Sequence, residues 1–228
     1  MKKLSIIILS FSAKAVLAQV PATSNWFAVL LRMNKAKWEL INDLGYRTVG
    51  MSTSAYIYYY RNGIRFKFND TWNAAGGTAF FFTRSSYHKS NHEFGREFRL
   101  WQEVTFRKPL AKSLSLSDRF RTEERWFDSV SGRPAYFGFR VRDRLTVTKT
   151  INEKWSLEFG DEYLRMFANK KFLFNSNRIL LLASYKMKGE MQIQGGYIWL
   201  KLPVSSQHVF TFAFQKNVSL RKSKNSGG

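Results

Sequence analysis

The sequence predicts an all-β protein, a single antiparallel up-and-down transmembrane β-barrel of 10–12 strands. Apolar and polar residues alternate with a period of two in segment after segment, which is typical of strands that face two different environments. Hydrophobic residues make up 44% of the 228 residues and aromatic residues 17%, yet the mean hydropathy is below zero. A barrel needs that mixture, because lipid-facing and lumen-facing side chains alternate along every strand.

About eleven segments show this alternation, with aromatic and aliphatic residues on one face and charged or amide residues on the other. The clearest apolar faces run from Trp38 to Tyr46, Ile64 to Phe68, Trp72 to Phe82, Phe98 to Phe106, Leu114 to Trp126, Phe137 to Val147, Trp155 to Tyr163, Met191 to Trp199 and Phe210 to Phe214. Bacterial single-chain barrels have even numbers of strands. We therefore expect ten or twelve strands, with Trp26–Met33 a partial strand or one segment merged or missed.

The connections between these segments alternate in length. Short ones are expected at Asn34–Ala36, Asn69–Asp70, Lys108–Lys112, Lys149–Lys154 and Met187–Gly189. Longer ones are expected at Thr48–Ser54, Thr83–His92, Asp128–Arg133, Met166–Lys171 and Lys201–Gln207. Outer-membrane barrels have short periplasmic turns and longer outer loops. Tryptophans also collect near strand ends, as in interfacial girdles: Trp26, Trp38, Trp72, Trp126, Trp155 and Trp199.

The first residues predict export. Lys2 and Lys3 precede the short apolar stretch Leu4–Ala13, and Val16-Leu17-Ala18 offers a small-residue cleavage site. We expect a signal peptide at residues 1–18, a barrel at residues 19–220 and a basic C-terminal tail at residues 221–228. No later segment is long and apolar enough for a transmembrane helix, so a membrane fate requires a closed barrel. The expected location is the outer membrane of a Gram-negative bacterium.

Composition excludes several classes of site. The chain has no cysteine, which excludes disulfides, thiolate metal sites and a cysteine nucleophile. Lys and Arg number 37 against 16 Asp and Glu, a net charge of +21 that falls to +18 once the three lysines of residues 1–18 leave. So basic a chain invites a nucleic-acid interpretation. However, the basic residues are spread over alternating positions and the signal peptide directs export, so we expect no nucleic-acid partner.

Charged residues on the middle strands point to one face and favour Glu–Arg pairing, a cross-strand arrangement that stabilises sheets. Pairing residues whose numbers sum to 222 places Arg99 opposite Glu123, Glu103 opposite Arg119, and Glu97 opposite Arg125. A sum of 302 places Arg144 opposite Glu158 and Arg140 opposite Glu162, and a sum of 263 places Glu123 beside Arg140. The predicted lumen charge ladder consists of Glu97, Arg99, Glu103, Arg119, Arg121, Glu123, Arg125, Arg140, Arg142, Arg144, Glu158 and Glu162.

Two interpretations of the lumen charge ladder remain open. Small barrels fill their interiors with side chains, so the ladder predicts a salt-bridged, largely filled lumen with a structural or assembly role. The alternative is a small anion-preferring pore, because arginines outnumber glutamates on this face. Asp118 and Asp143 fall on the apolar faces, which indicates a position near the periplasmic rim, a bulge or a protein contact.

These residues also carry a resemblance. The order Trp26, Trp38, then Glu97–Gln102, then Arg119–Arg125, then Arg140–Arg142 resembles an uncharacterised outer-membrane family, the domain-of-unknown-function family 2490. The similarity covers nearly all of the chain after the signal peptide. The resemblance implies a barrel in Gram-negative bacteria and supplies no activity, so no catalytic residue is carried over.

A lipid-modifying enzyme of the outer membrane is a further alternative, because such enzymes use Ser and His with a carboxylate near the outer rim. The segment Arg84–Glu93 holds Ser85, Ser86, His88 and His92. A catalytic triad is defined by geometry, and neighbouring positions in a loop do not supply it. We therefore predict no catalytic residue, no metal ligands and no cofactor. The expected partners are outer-membrane lipids and lipopolysaccharide, together with a membrane-protein partner.

Overall fold

The computed structural model describes residues 22–87, 90, 92–130, 132–168 and 170–220. The predicted signal peptide and basic tail, and His88, lie outside the described residues. All regular secondary structure in the described part of the chain is β-strand. Within the same residues, no helix is long and apolar enough to cross a membrane.

Eleven strands form the molecule. They are β1 (Thr23–Lys35), β2 (Trp38–Thr48), β3 (Ala55–Lys67), β4 (Trp72–Arg84), β5 (Phe94–Ala111), β6 (Leu114–Phe127), β7 (Tyr136–Thr150), β8 (Trp155–Ala168), β9 (Lys171–Met187), β10 (Met191–Lys201) and β11 (Ser206–Ser219). Consecutive strands pair antiparallel, and β1 pairs with β11 to close the barrel. The predicted all-β barrel is confirmed at this level.

The closing pair corrects the prediction of a purely antiparallel barrel with ten or twelve strands. β1 and β11 run parallel, in register from Thr23↔His208 to Asn34↔Ser219. The cause is arithmetic: in an up-and-down series, strands with odd numbers share one direction, so the first and eleventh strands meet parallel. The segment Trp26–Met33, for which a partial strand was one of the alternatives, lies within the full-length strand β1.

The two ends of the barrel differ in their connections. At one end, the turn end, the connections are residues 36–37, 68–71, 112–113, 151–154 and 188–190. At the other end, the loop end, they are residues 49–54, 85–93, 128–135, 169–170 and 202–205. The predicted alternation holds for the first three pairs of connections. It fails between β8 and β9, which are separated by two residues, and between β10 and β11, where residues 202–205 are no longer than residues 68–71 or 151–154.

The apolar and polar residues that alternate in the sequence face opposite sides of the barrel wall. Large apolar side chains are exposed on the exterior, among them Leu44, Phe120 and Phe159. Buried charged residues lie on the opposite face of the same strands. Five of the six tryptophans predicted near strand ends are on the exterior: Trp38, Trp72, Trp126, Trp155 and Trp199. Trp26 is different, since it points inward and packs against a buried apolar cluster that includes Leu180 and Val209.

The exterior also carries carboxylates. Asp118 pairs with Leu145 in the β6–β7 ladder, and Asp143 lies one step away on β7, so both face outward within the strands. Asp161 of β8 is outward as well and accepts a hydrogen bond of 2.5 Å from Asn177. These three residues form an acidic exterior patch on β6, β7 and β8, away from the strand ends.

A close approach of backbone and indole shapes the wall at β3, β4 and β5. Trp101 is 2% exposed, and its indole N–H lies 3.2 Å from the carbonyl oxygens of both Asn62 and Thr78. Gly63 and Gly77 are directly paired beneath it. A Cβ at Gly63 would lie 2.3 Å from the Trp101 ring, and one at Gly77 would lie 2.1 Å from the Asn62 carbonyl oxygen. Only glycine leaves room for this packing.

Candidate functional site

The interior face holds a set of ion pairs, which we call the interior charge network, and all are linked through shared members except the separate pair Arg144–Glu158. Among the described residues it contains seven carboxylates and eleven arginines within 4 Å of one another. The carboxylates are Glu39, Asp43, Glu97, Glu103, Glu123, Glu158 and Glu162. The arginines are Arg32, Arg61, Arg65, Arg99, Arg119, Arg121, Arg125, Arg140, Arg142, Arg144 and Arg178. All twelve residues of the predicted lumen charge ladder are members.

Glu123 on β6 is the most highly shared carboxylate of the network. It is 2% exposed and forms an ion pair with Arg140, which donates from both Nε and Nη2. Arg142 Nη1 lies 2.8 Å from its Oε1 atom. Arg99 and Arg121 lie at 3.6 Å and 3.8 Å. One carboxylate is therefore shared by four guanidinium groups from β5, β6 and β7.

Glu162 on β8 is the second shared carboxylate and is 1% exposed. Arg119 and Arg142 each lie 2.7 Å from its Oε1 atom, and Arg178 lies 2.8 Å from its Oε2 atom. Because Arg142 contacts both Glu162 and Glu123, it joins the two shared carboxylates. The network thus crosses the interior from β5 to β9 without a break.

Two further glutamates on β5 extend the network. Glu103 pairs with Arg121 and lies 3.1 Å from Arg65 and 3.9 Å from Arg119. Glu97 is held between Arg99 and Arg125, each 2.5 Å away. At the turn end Arg144 and Glu158 form a pair at 2.5 Å that is more accessible, with each side chain 23% exposed.

Sequence reasoning missed the part of the network on β1, β2 and β3. Asp43 is fully buried and contacts Arg32 and Arg61, while Glu39 contacts Arg65 at 2.6 Å. Glu39 is absent from the predicted ladder, and the structure adds it to the network. The signal was available: Glu39 lies opposite Arg65 and Asp43 opposite Arg61 in the β2–β3 ladder. The same register arithmetic, applied across that connection, finds both pairs.

The predicted registers were right across one connection and shifted by two residues or more across the others. Glu123 lies opposite Arg140, as predicted. Across β5–β6, however, Arg99 lies opposite Arg125 and Trp101 lies opposite Glu123. Across β7–β8, Arg144 lies opposite Glu162, and Arg140 lies opposite Met166. An even shift keeps every side chain on its face.

Most of the predicted contacts survive this shift as diagonal pairs. Long guanidinium side chains reach across neighbouring strands, so Arg125 still contacts Glu97 and Arg144 still contacts Glu158. The predicted pairing of Arg140 with Glu162 is replaced. Arg140 instead pairs with Glu123 and lies 3.5 Å from the side-chain oxygen of Asn175.

Aromatic rings lie among the interior charges. The Arg99 guanidinium lies 3.4 Å from the centre of the Phe81 ring, and the Arg121 guanidinium lies 4.8 Å from that of Trp101. Arg47 lies 3.9 Å from the centre of the Trp26 ring. Such stacking orients the guanidinium planes and supplies cation–π attraction. Arg99 and Arg121 are therefore held in place by rings as well as by carboxylates.

Three cavities lie along the interior. The turn-end cavity, of about 500 Å³, is bordered by polar residues such as Lys67, Arg107 and Gln192. The central cavity, of about 110 Å³, is bordered by Tyr59, Phe81, Trp101, Glu123 and seven arginines. The loop-end cavity, of about 180 Å³, includes Tyr56 and Tyr87 in its wall. The central and turn-end cavities share no bordering residue, whereas the central and loop-end cavities share Arg47, Arg140 and Arg178.

The described serine and histidine side chains of the histidine-containing loop take no part in the ion pairs of the interior charge network. Ser85 Oγ lies 3.2 Å from a carboxylate oxygen of Glu93 at the exposed loop end. His92 is exposed as well. Among the residues that the structure describes, no group of three His, Cys, Asp or Glu side chains is arranged to hold a metal ion.

A family model described as "Protein of unknown function (DUF2490)" matches residues 23–210, which span all eleven strands in whole or in part. No curated protein matches the chain.

Proposed function

We propose that this chain, which belongs to the DUF2490 family of proteins of unknown function, is an integral outer-membrane β-barrel whose lumen is closed by ion pairs. Its role is structural or in envelope assembly, without transport. The signal peptide predicted at residues 1–18 directs export, and cleavage after Ala18 precedes insertion. Outer-membrane lipids and lipopolysaccharide are the expected surroundings.

The observation that carries the proposal is the inverted distribution of side chains. Phenylalanine, leucine and tyrosine are exposed around the exterior, as on Phe120, Phe159 and Leu181, while fully buried positions hold Glu123 and Glu162. A water-soluble protein buries its apolar residues and leaves such charges outside. Lipid is the solvent in which the observed arrangement is stable, because barrels there satisfy every backbone group.

The closed lumen is supported by the interior charge network. Between the turn-end cavity and the central cavity lie the contacts of Arg121 with Glu103 and of Arg142 with both Glu123 and Glu162. Trp101 packs in the same region. Opening a continuous path would separate buried charge pairs, which is costly in a low-dielectric interior. The competing proposal of an anion-preferring pore draws on the excess of arginines over carboxylates in the network.

A protein partner is supported by the acidic exterior patch of Asp118, Asp143 and Asp161. Carboxylates on a lipid-facing surface are unfavourable, so contact with another membrane protein would explain their position. A photo-crosslinking residue at Phe120 should then capture a partner that the same residue at Phe212, on the opposite wall, does not. Equal capture at both positions would contradict a specific contact.

Cell fractionation tests the location. We expect the chain in the outer-membrane fraction, with a mature N-terminus at Gln19 in mass spectrometry and a folded gel band that resists detergent until heated. A soluble chain that retains Met1 would overturn the proposal. An inner-membrane location would contradict it equally.

A further inference from the structure

The wall of the central cavity is far more basic than the rest of the interior. Seven of its twelve bordering residues are arginines, and Glu123 is its single acid. The arginines are Arg47, Arg61, Arg99, Arg121, Arg140, Arg142 and Arg178. The other bordering residues are Tyr59, Ala79, Phe81 and Trp101. The arginines attract an anion strongly here, because protein and aromatic rings around the cavity screen their charges much less than water would.

The carboxylates behind this wall do not compensate its charge, since they are shared. Glu97 also forms an ion pair with Arg125, and Asp43 also forms one with Arg32. Glu103 and Glu162 both also contact Arg119. The interior charge network as a whole holds eleven arginines and seven carboxylates among the described residues. A buried excess of positive charge requires a counter-charge.

Some hydrogen-bond donors of the cavity wall also have no acceptor among the described residues. The Nε atoms of Arg142 and Arg178 are buried and have no hydrogen-bond partner among the described residues. Arg47 has no carboxylate within 4 Å in that same part of the chain, and its guanidinium is stacked on Trp26 instead. Buried donors without acceptors are rare in folded proteins and cost free energy. An acceptor-rich ligand in the cavity would satisfy them.

The central cavity adjoins the loop-end cavity, because Arg47, Arg140 and Arg178 border both. A single water needs about 10–15 Å³ of such space, and the central cavity of about 110 Å³ therefore has room for a small polyatomic ion with some of its water.

We propose that the central cavity is a binding site for a small tetrahedral oxyanion of the phosphate or sulfate class, held by Arg47, Arg140 and Arg178. Guanidinium groups bind such oxyanions through paired N–H donors, and each oxygen accepts more than one hydrogen bond. The anion enters from the loop end and stops at Glu123, whose carboxylate repels it from the turn end. Because this site is defined within the folded barrel, it can be tested independently of where the barrel resides in the cell.

The test is binding of inorganic phosphate to the full-length protein purified in a zwitterionic detergent. Calorimetric titration at constant ionic strength should show one saturable phosphate per chain in a chloride buffer. Arg47→Gln should weaken binding about tenfold or more, the loss expected for one charge-assisted hydrogen bond in a buried site. This variant leaves every ion pair of the network intact.

Arg107→Gln is the matched control. Arg107 also borders an interior cavity and also has no carboxylate within 4 Å among the described residues, but it lies at the turn end. We expect it to bind phosphate as the unmodified chain does. Equal weakening by both substitutions would show a general charge effect and overturn the site, as would the absence of saturable binding to the unmodified chain.

Two further measurements, one on a lysine variant and one with a phosphate-bearing lipid, test the geometry of the site and the source of the oxyanion. Arg47→Lys retains the charge and lacks the planar fork, so it should fold, as judged by its heat-resistant gel band, and still bind phosphate more weakly. A short-chain phosphatidic acid offers the same oxyanion on a lipid. Binding of that lipid without binding of inorganic phosphate would contradict a site for a free oxyanion.

Discussion

Glu123 shows at the scale of one residue how the interior is held together. Its carboxylate contacts Arg99, Arg121, Arg140 and Arg142. Replacing one member of a buried ion pair leaves uncompensated charge, which costs about 3–5 kcal/mol. Because four guanidinium groups share this one carboxylate, we expect Glu123 to be among the least replaceable residues of the barrel.

Glu123→Gln keeps the shape of the side chain and removes its charge, so we expect it to lower the free energy of unfolding by about 3–5 kcal/mol. Urea unfolding of the refolded protein in detergent, followed by tryptophan fluorescence, measures the change. Glu124→Gln is the control, because Glu124 is the next residue on β6 and faces outward. A loss of similar size in both variants would show that Glu123 has no special role.

At this scale, much of the network could be predicted from sequence. Alternation alone assigned Glu97, Arg99 and Glu123 to one face, and that assignment does not depend on register. The particular partners did depend on it, because a shift of two residues exchanges neighbours without changing faces. Arg47 could not be singled out from the sequence, because only the structure shows that its guanidinium stacks on Trp26 and that no carboxylate among the described residues lies within 4 Å of it.

Strands β3, β4 and β5 show how an element determines the wall. The paired glycines Gly63 and Gly77 allow the Trp101 indole to lie over the backbone, where its N–H reaches two carbonyl oxygens. In the sequence these glycines fall on the polar face of the alternation, and no pattern marks them as a place of close packing. The reason for glycine at both positions is the Trp101 ring, which lies on another strand and is distant in the chain.

Gly77→Ala should therefore destabilise the barrel. The new Cβ would lie 2.1 Å from the Asn62 carbonyl oxygen, so the two strands must separate, at a cost of about 1–3 kcal/mol. Gly195→Ala is the matched strand control, since its Cβ would meet nothing closer than 3.8 Å and should change stability by less than about 0.5 kcal/mol. Thermal shift of the folded gel band compares the two; indistinguishable midpoints would contradict the close approach.

For the whole molecule, the parallel closure has a consequence for topology. β1 begins at the loop end and β11 ends at the turn end, so Ala22 and Leu220 lie at opposite ends of the barrel. If the barrel spans the outer membrane as proposed, these two positions face opposite sides of it.

Strand count was the feature that sequence reasoning could not settle, because the even-number rule for bacterial barrels does not hold in this chain.

Cysteine labelling tests that topology directly, because the chain has no cysteine of its own. Ala22→Cys should react with a membrane-impermeant maleimide on intact cells in the same way as Val204→Cys, which is on an exposed loop-end connection. Leu220→Cys should behave like Lys188→Cys at the turn end. Equal labelling of Ala22→Cys and Leu220→Cys on intact cells would contradict the parallel closure.

If the interior charge network closes the lumen, the barrel should not conduct ions. Ionic conductance in a planar bilayer measures this property directly. We predict that the purified protein, shown to be folded by its heat-resistant gel band and to be inserted by its co-flotation with vesicles of the same lipid, produces no stepwise current. The expected absence follows from buried pairs such as Glu123–Arg140 and Glu162–Arg142, which an ion would have to separate. Reproducible single-channel steps with anion selectivity, strengthened by Glu123→Gln, would contradict the closed lumen and establish the anion pore instead.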